Sequence, residues 1–446
     1  MRTAWFVTLV AMICFEGLGR KFLPGVPTAA FYFAKDVVLI WGLLRFRPGA
    51  EIRRTSRYLY RGYQLFLVLA IVCTILQVFN PEQKSALLAV VGLRAYWLWW
   101  LAPMVVAHVL RDPRERLRAI YVLIGTAAVV ALFAILEFFI PSQSGLNVYS
   151  YVDGEAVEQV ILSNTGRARV SSTFSFISGF SDFTILVPTL ILSFGLDARD
   201  SRLRKWAFIV TGMTAAVLPM SGSRVSLLLG GGVLFLSFWS AGLFFTRVGR
   251  RILVGSVVAA IGAVVVFPDA LEGIQSRFQN QEETNSRYVL AAAAVLPPLA
   301  IAKVRHPPFG IGTGMLQNYR ERMKIPIDYE VEQEFERYLV ELGTFGYLLM
   351  WLTKFGLMVA LYRAYQILKR AGRRGAATAS LSYAVLTLIG SLTFDHVWQS
   401  LFFIGCGFIL AEVVSVLRAQ AAARPAPTAQ QPAAPQTFKP AAAATP

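Results

Sequence analysis

Charge is what this chain has least of. Only 15% of its 446 residues are Asp, Glu, Lys or Arg, where a soluble domain carries about 25%. With 56% hydrophobic residues and a mean hydropathy of +0.54, the polar surface is too small to cover a water-soluble globule of this length. Cysteine and histidine are scarcer still, at 3 each. Cys14, Cys73 and Cys406 lie far apart inside apolar runs, which excludes a CxxC pair or a Cys/His cluster and reads as buried packing. No metal or cofactor is expected. Strand-length alternation of apolar and polar residues is missing, which argues against a β-barrel. So are Walker A, HExxH and GxSxG. The GIGTG at 310–314 is no dinucleotide fingerprint, because no βαβ pattern surrounds it.

What is present is a series of apolar runs near the length of a membrane span. They predict an all-α, polytopic membrane protein of about 12 transmembrane helices. The spans fall near 3–19, from Pro27 to 44, then at 62–79, 86–110, 119–140, 176–194, 206–220, 225–245, 252–267, 343–362, 377–393 and 399–418. The first run lacks a small-x-small cleavage site and reads as a span, not a leader. The formal charge is +17. Its excess sits in short loops: Arg47, Arg53, Arg54, Arg57 and Arg61, then RDPRERLR (111–118), DARDSRLRK, RVGRR and RAYQILKRAGRR. That is the positive-inside pattern; it puts these loops and both termini in the cytoplasm, and no nucleic-acid partner is expected. The expected division is a membrane domain over 1–418, with a long outer loop at 268–342, and a disordered Ala/Pro-rich tail at 419–446.

Several polar residues carry two readings. Lys35 and Asp36 fall inside the second span, as an adjacent structural ion pair or as the lining of a polar cavity. Arg94, among Trp97, Trp99 and Trp100, either snorkels beside an aromatic belt or turns inward to bind an anion. Asp395–His396 is a capping pair or a base with its orienting partner. Arg224 closes SGSR, where small residues permit a helix break and close approach of a ligand. Arg277 and Arg287 lie in the outer loop, and all three guanidinium groups suit phosphate oxygens or lipid headgroups. Glu330, Glu332, Glu334, Glu336 and Glu341 form a solvated face or offer a general base.

Taken in order, the motifs resemble a known family. They run from Gly17, Arg20 and Lys21 through GLRAY (92–96), RVSSTFSFISGF (169–180) and SGSR (221–224). Arg277 and Arg287 follow, then PPFGIGTG (307–314) and YLVELGTFGYLL (338–349). This order resembles the O-antigen ligase and O-antigen polymerase (Wzy-like) superfamily, over most of residues 1–418. The resemblance implies a C-type glycosyltransferase-like fold in the bacterial inner membrane with a periplasmic active face. It implies an undecaprenyl-pyrophosphate-linked glycan as substrate, inversion at the anomeric centre and no metal. A flippase and a chain-length regulator would be pathway partners. It assigns the pyrophosphate to Arg224 and Arg287, with Arg169, Arg277 and Arg94 as further candidates. Where many relatives carry a histidine upstream of the E-x-G element, this chain has Glu332. A carboxylate there takes the proton of an acceptor hydroxyl but is no cationic phosphate partner. That departure favours a polymerase over a ligase acting on a different acceptor. A transporter remains the alternative of another class.

Overall fold

The computed structural model describes residues 1–23, 25–142, 144–152, 155–158, 167–198, 200–242, 289, 292–317, 323–329 and 331–423. The helices are α1 (Arg2–Cys14), α2 (Glu16–Phe22), α3 (Thr28–Arg45), α4 (Ala50–Leu59), α5 (Gln64–Leu76), α6 (Ala86–Trp97), α7 (Ala102–Val109), α8 (Pro113–Phe139), α9 (Ile177–Leu196), α10 (Ser201–Val217), α11 (Arg224–Ser240), α12 (Pro297–Lys303), α13 (Glu334–Arg370), α14 (Arg374–Ile389) and α15 (His396–Ala422). The one exception to helix among the described elements is an antiparallel hairpin of β1 (Val148–Val152) and β2 (Glu155–Glu158). A helix lies at every expected span except the ninth, 252–267, which is outside the described residues. By length and composition, 5 helices are apolar enough to cross a membrane: Ala86–Val109, Pro113–Phe139, Ile177–Leu196, Glu334–Arg370 and His396–Ala422. The number reaches 7 if each of two bent pairs is one span: α1 with α2 at 58°, and α4 with Gln64–Phe79 at 97°.

Burial separates inner from outer helices. Of the most apolar stretch of α15, 89% is buried, and of α9, 83%, against about half in the other three long spans. α9 and α15 therefore form the centre. The outer helices turn side chains such as Leu44, Leu65, Leu132, Leu136 and Phe235 outward, as a protein solvated by lipid does.

Local chemistry explains the element ends. Asp112 accepts a hydrogen bond from the Arg114 N–H at 2.8 Å and Pro113 follows as the first helical residue, a standard start signal. The basic stretch expected as a loop at 46–61 is instead largely α4. Ile52, Thr55 and Leu59 share its buried face while Arg53, Arg54 and Arg57 stay exposed. That spacing is amphipathic and suits a helix lying along the interface. At α14, the free N–H groups of Gly375 and Ala376 are met by the Asp197 carboxylate at 2.8 and 3.0 Å.

The largest departure from expectation is at α13. The acidic run is helical from Glu334, as its spacing expects, but it is continuous with the span expected from 343, and the joined helix is broken inside. Gly343 has φ 72° and ψ −179°, a conformation open to glycine and strained for other residues. The break frees the carbonyls of Val340 and Glu341. The Gly-rich segment 307–314 supplies their partners: Ile311 N–H donates to Val340 at 2.9 Å and Gly312 N–H to Glu341 at 3.1 Å. In return Thr344 N–H donates to Pro308 at 3.2 Å. Irregular backbone at depth is tolerated when protein re-satisfies it in this way. Residues 310–317 are buried throughout, so this part of the expected outer loop is inserted among α5, α6 and α13.

Candidate functional site

Among the described residues, three buried polar neighbourhoods hold the candidate residues. The first is the junction of the Gly-rich segment with α13. The Glu341 carboxylate, fully buried, accepts from Tyr96 Oη at 2.9 Å, Gly314 N at 2.8 Å, Leu316 N at 2.9 Å and Arg337 Nε at 3.1 Å. Both oxygens are occupied by donors. Gly314 has φ +82°, and a methyl group there would lie 2.1 Å from the Leu88 carbonyl oxygen, so only glycine lets the segment seat on α6 at Gly92. One helical turn before Arg337, Glu334 binds Lys354 Nζ at 2.6 Å and the Thr393 hydroxyl at 3.0 Å, and Lys354 also donates to the Gly390 carbonyl at 2.9 Å. Glu336 closes a capping box with Gln333. The acidic run is therefore not a solvated face: Glu334 and Glu341 are buried, and each is matched to a cation from α13. Glu330 lies outside the described residues.

Glu332 stands just before this helix and is exposed. It lines a cleft with Glu334, Lys354, Ser391 and Phe394. Its N–H donates to Glu336 Oε2 at 2.8 Å. The ammonium group of that cleft, Lys354, is the partner of Glu334.

The second neighbourhood joins two motifs separated by half a hundred residues of chain. Arg169 Nε donates to the Ser221 carbonyl at 2.8 Å and Val170 N–H to Met220 at 3.1 Å. RVSSTF is thereby held against the SGSR break. Ser223 caps α11 through the Ser226 N–H, and Arg224 is the first residue of that helix. Arg169 and Arg224 are both half-buried. They flank a helix N-terminus, where exposed N–H groups and the helix dipole favour an anion. The same motif continues inward. Lys21 Nζ binds Glu137 at 2.8 Å, Ser171 Oγ at 3.2 Å and the Ser172 carbonyl at 3.1 Å. Ser172 N–H also binds Glu137. Thr173 Oγ1 reaches the Cys14 carbonyl at 2.5 Å, where the α1–α2 helix bends.

The third neighbourhood is formed by α2, α3, α6 and α15. Lys35 and Asp36 do not pair with each other. Neighbours in sequence on a helix point about 100° apart, so each finds its own partner. Lys35 binds Glu16 at 2.6 Å, and Arg20 pairs with the other Glu16 oxygen. Asp36 accepts from Arg94 Nε at 2.6 Å and from Trp99 Nε1 at 3.0 Å. Arg94 thus turns inward and does not snorkel. Its guanidinium carbon lies 4.5 Å from the Tyr32 ring centroid and 5.1 Å from that of Phe33. His396 meets the Tyr32 hydroxyl. Asp395 is the N-cap of α15, accepting from Val397 N–H at 2.9 Å and Trp398 N–H at 3.2 Å.

The structure thus seats Arg169 on the SGSR break that Arg224 closes, sets Arg94 in an ion pair, and leaves Glu332 at a cleft between α13 and α14. Arg277 and Arg287 lie outside the described residues. Sequence reasoning did not single out Glu137, Arg337 or Lys354. For Glu137 and Lys354 the signal was available: each is an ionisable residue inside an apolar run, where such groups are costly and therefore paired or functional; Arg337, in a charged stretch, carried no such signal. No known protein-family model matches the chain, and no curated protein matches it at a significant level.

Proposed function

We propose that this chain polymerises undecaprenyl-pyrophosphate-linked oligosaccharide units into exopolysaccharide or O-antigen, at the periplasmic face of the bacterial inner membrane. The observation that carries this reading is the meeting of Arg169 with the SGSR break beside Arg224. Two guanidinium groups at a helix N-terminus inside a lipid-solvated bundle suit a pyrophosphate whose lipid tail stays in the bilayer. The motif order that resembles the O-antigen ligase and polymerase superfamily agrees with it.

In this mechanism the bond between the anomeric carbon and the pyrophosphate oxygen breaks, and its electron pair leaves with the pyrophosphate. Arg169, Arg224 and Arg287 neutralise the charge that builds there. An acceptor sugar hydroxyl attacks from the opposite face, giving inversion, and its proton passes to Glu332. Positioning by the cleft around Glu332, Lys354 and Ser391 supplies the in-line approach.

The test is a chromosomal Arg224→Lys or Arg169→Ala variant, with insertion checked by membrane immunoblot. Long-chain glycan should vanish and single lipid-linked repeat units accumulate. Accumulation of finished lipid-linked polymer would instead identify a ligase. The transporter reading draws on the interior charges and on the broken helices α1–α2 and α13. Polymer made by purified protein in proteoliposomes from lipid-linked units alone would exclude it.

A further inference from the structure

The two most exposed large apolar side chains among the described residues belong to segments that bind each other. Phe309 is 83% exposed and Phe79 78%. Gln77 Nε2 donates to the Phe309 carbonyl at 2.6 Å, and Asn80 Nδ2 to the Gly310 carbonyl at 3.0 Å. The turn 307–310 is thus fixed to the end of α5. Thr344 N–H, just past the α13 break, holds the Pro308 carbonyl at 3.2 Å, and Gly310 N–H closes the turn on Pro307 at 3.1 Å. All four carbonyls of the turn are therefore bonded within the protein. Pro307 and Pro308 carry no N–H, so among the described residues only the Phe309 N–H is left open in the turn. A backbone satisfied in this way can approach hydrocarbon, where water supplies no partners. The one open N–H sets its depth at the ester level, where lipid carbonyls and water still reach it.

The turn also stands where an apolar lane runs out. Leu65, Val68, Val72 and Leu76 are exposed on α5, at the spacing of one helix face. α5 has 13 residues, about 20 Å at the usual rise, and the tight turn Gln77–Phe79 adds about 6 Å. That lane falls short of a hydrocarbon core of about 30 Å, and the Phe79 and Phe309 segments lie at its open end. Phe345, two residues after Gly343, is 67% exposed on the neighbouring α13. We propose that the turn 307–310 is a lipid anchor: the Phe309 ring dips among the acyl chains of the leaflet opposite the basic helix α4, and the backbone of the turn lies at the glycerol esters. The occupant is bulk bilayer phospholipid, because the patch continues the lipid-facing lane of α5, which a protein partner would have to cover as well. The anchor holds one end of a segment whose continuation, from Ile311 to Leu316, is seated on α6 and α13. It does not depend on the glycan reading.

The experiment replaces Phe309, Phe345 or Asp328, one at a time, by the photoreactive p-benzoylphenylalanine in the full-length protein. Asp328, exposed and charged, is the control. Each protein is placed in nanodiscs of phosphatidylethanolamine and phosphatidylglycerol and illuminated, and its adducts are read by mass spectrometry. Phospholipid adducts should be at least tenfold more abundant at 309 and 345 than at 328. Adducts at 309 to a second copy of the chain, or lipid adducts no more abundant there than at 328, overturn the anchor. An independent reading uses a nitroxide on Phe309→Cys combined with Cys73→Ala, since Cys14 and Cys406 are buried. Oxygen, which partitions into the bilayer, should collide with that nitroxide more often than a water-soluble nickel chelate does. The reverse order places Phe309 in water and overturns the proposal.

Discussion

Replacing Glu341 by Gln changes one oxygen to NH2, and the four contacts of that carboxylate set the cost. It receives two hydrogen bonds at each oxygen. The Tyr96 hydroxyl both donates and accepts, so it can reverse and take a proton from the new amide. The amide nitrogen therefore settles at the Tyr96 and Gly314 side. Arg337 Nε and Leu316 N–H keep their carbonyl partner. Gly314 N–H then faces a donor and is left unsatisfied, at about 1–3 kcal/mol. Arg337, 1% exposed, also loses its counter-charge, and breaking a buried pair costs about 3–5 kcal/mol. Arg337 retains the Thr393 carbonyl at 3.2 Å, which places the total near the lower end, about 4–5 kcal/mol. Glu341→Ala leaves all four donors without a partner and should cost more. The assay is the fraction of monodisperse protein after graded heating in mild detergent, read by fluorescence size-exclusion. Glycan output should fall in step with folded protein, with turnover per folded molecule unchanged. A Glu341→Gln protein as heat-resistant as the parent, yet inactive, would refute the structural role and make Glu341 the base.

The same geometry sets other outcomes. Glu332→Gln should leave heat resistance unchanged and lower turnover more than substrate affinity, on the order of a hundredfold if it is the general base; unaltered turnover in a lipid-linked polymerisation assay removes it. Gly314→Ala should abolish monodisperse protein, because the new methyl would meet the Leu88 carbonyl at 2.1 Å; a normal elution profile would contradict the seating of the segment on α6. Lys21→Met should cost about 3–5 kcal/mol by taking the buried cation away from Glu137, and the double change with Glu137→Leu should restore most of it in the same heating assay.

Helices were readable wherever an apolar run was long, as at α8 and α15, because length alone decides a span. α4 was not, since its arginines looked like loop charge; only the spacing of Ile52, Thr55 and Leu59 marks it as helix. The burial of the first turns of α13 was missed for a related reason. Glu334, Arg337 and Glu341 look solvated until Lys354 and the Gly-rich segment, distant in sequence, come to meet them. Arg169 and Arg224 were each legible as candidate anion ligands. Their juxtaposition was not, because the backbone contacts at Ser221 and Met220 carry no residue signature. The Lys35–Asp36 pairing failed on helix geometry, which turns sequence neighbours apart.

The break at Gly343 also constrains how the protein is made. The first turns of α13 carry Glu334, Glu336, Arg337 and Glu341, and an unpaired charge at mid-membrane costs about 2.5–3.5 kcal/mol on insertion scales. The stretch after Gly343 is apolar enough to leave the translocon on its own. The stretch before it is not. It enters only once the Gly-rich segment has taken up its freed carbonyls, and that segment itself rests on α5 and α6, through Thr313 Oγ1 on the Thr74 carbonyl at 2.7 Å and the Gly92–Gly314 contact. An ordered biogenesis is the expected consequence, with the amino-terminal helices assembling first and the polar half of α13 drawn in after them.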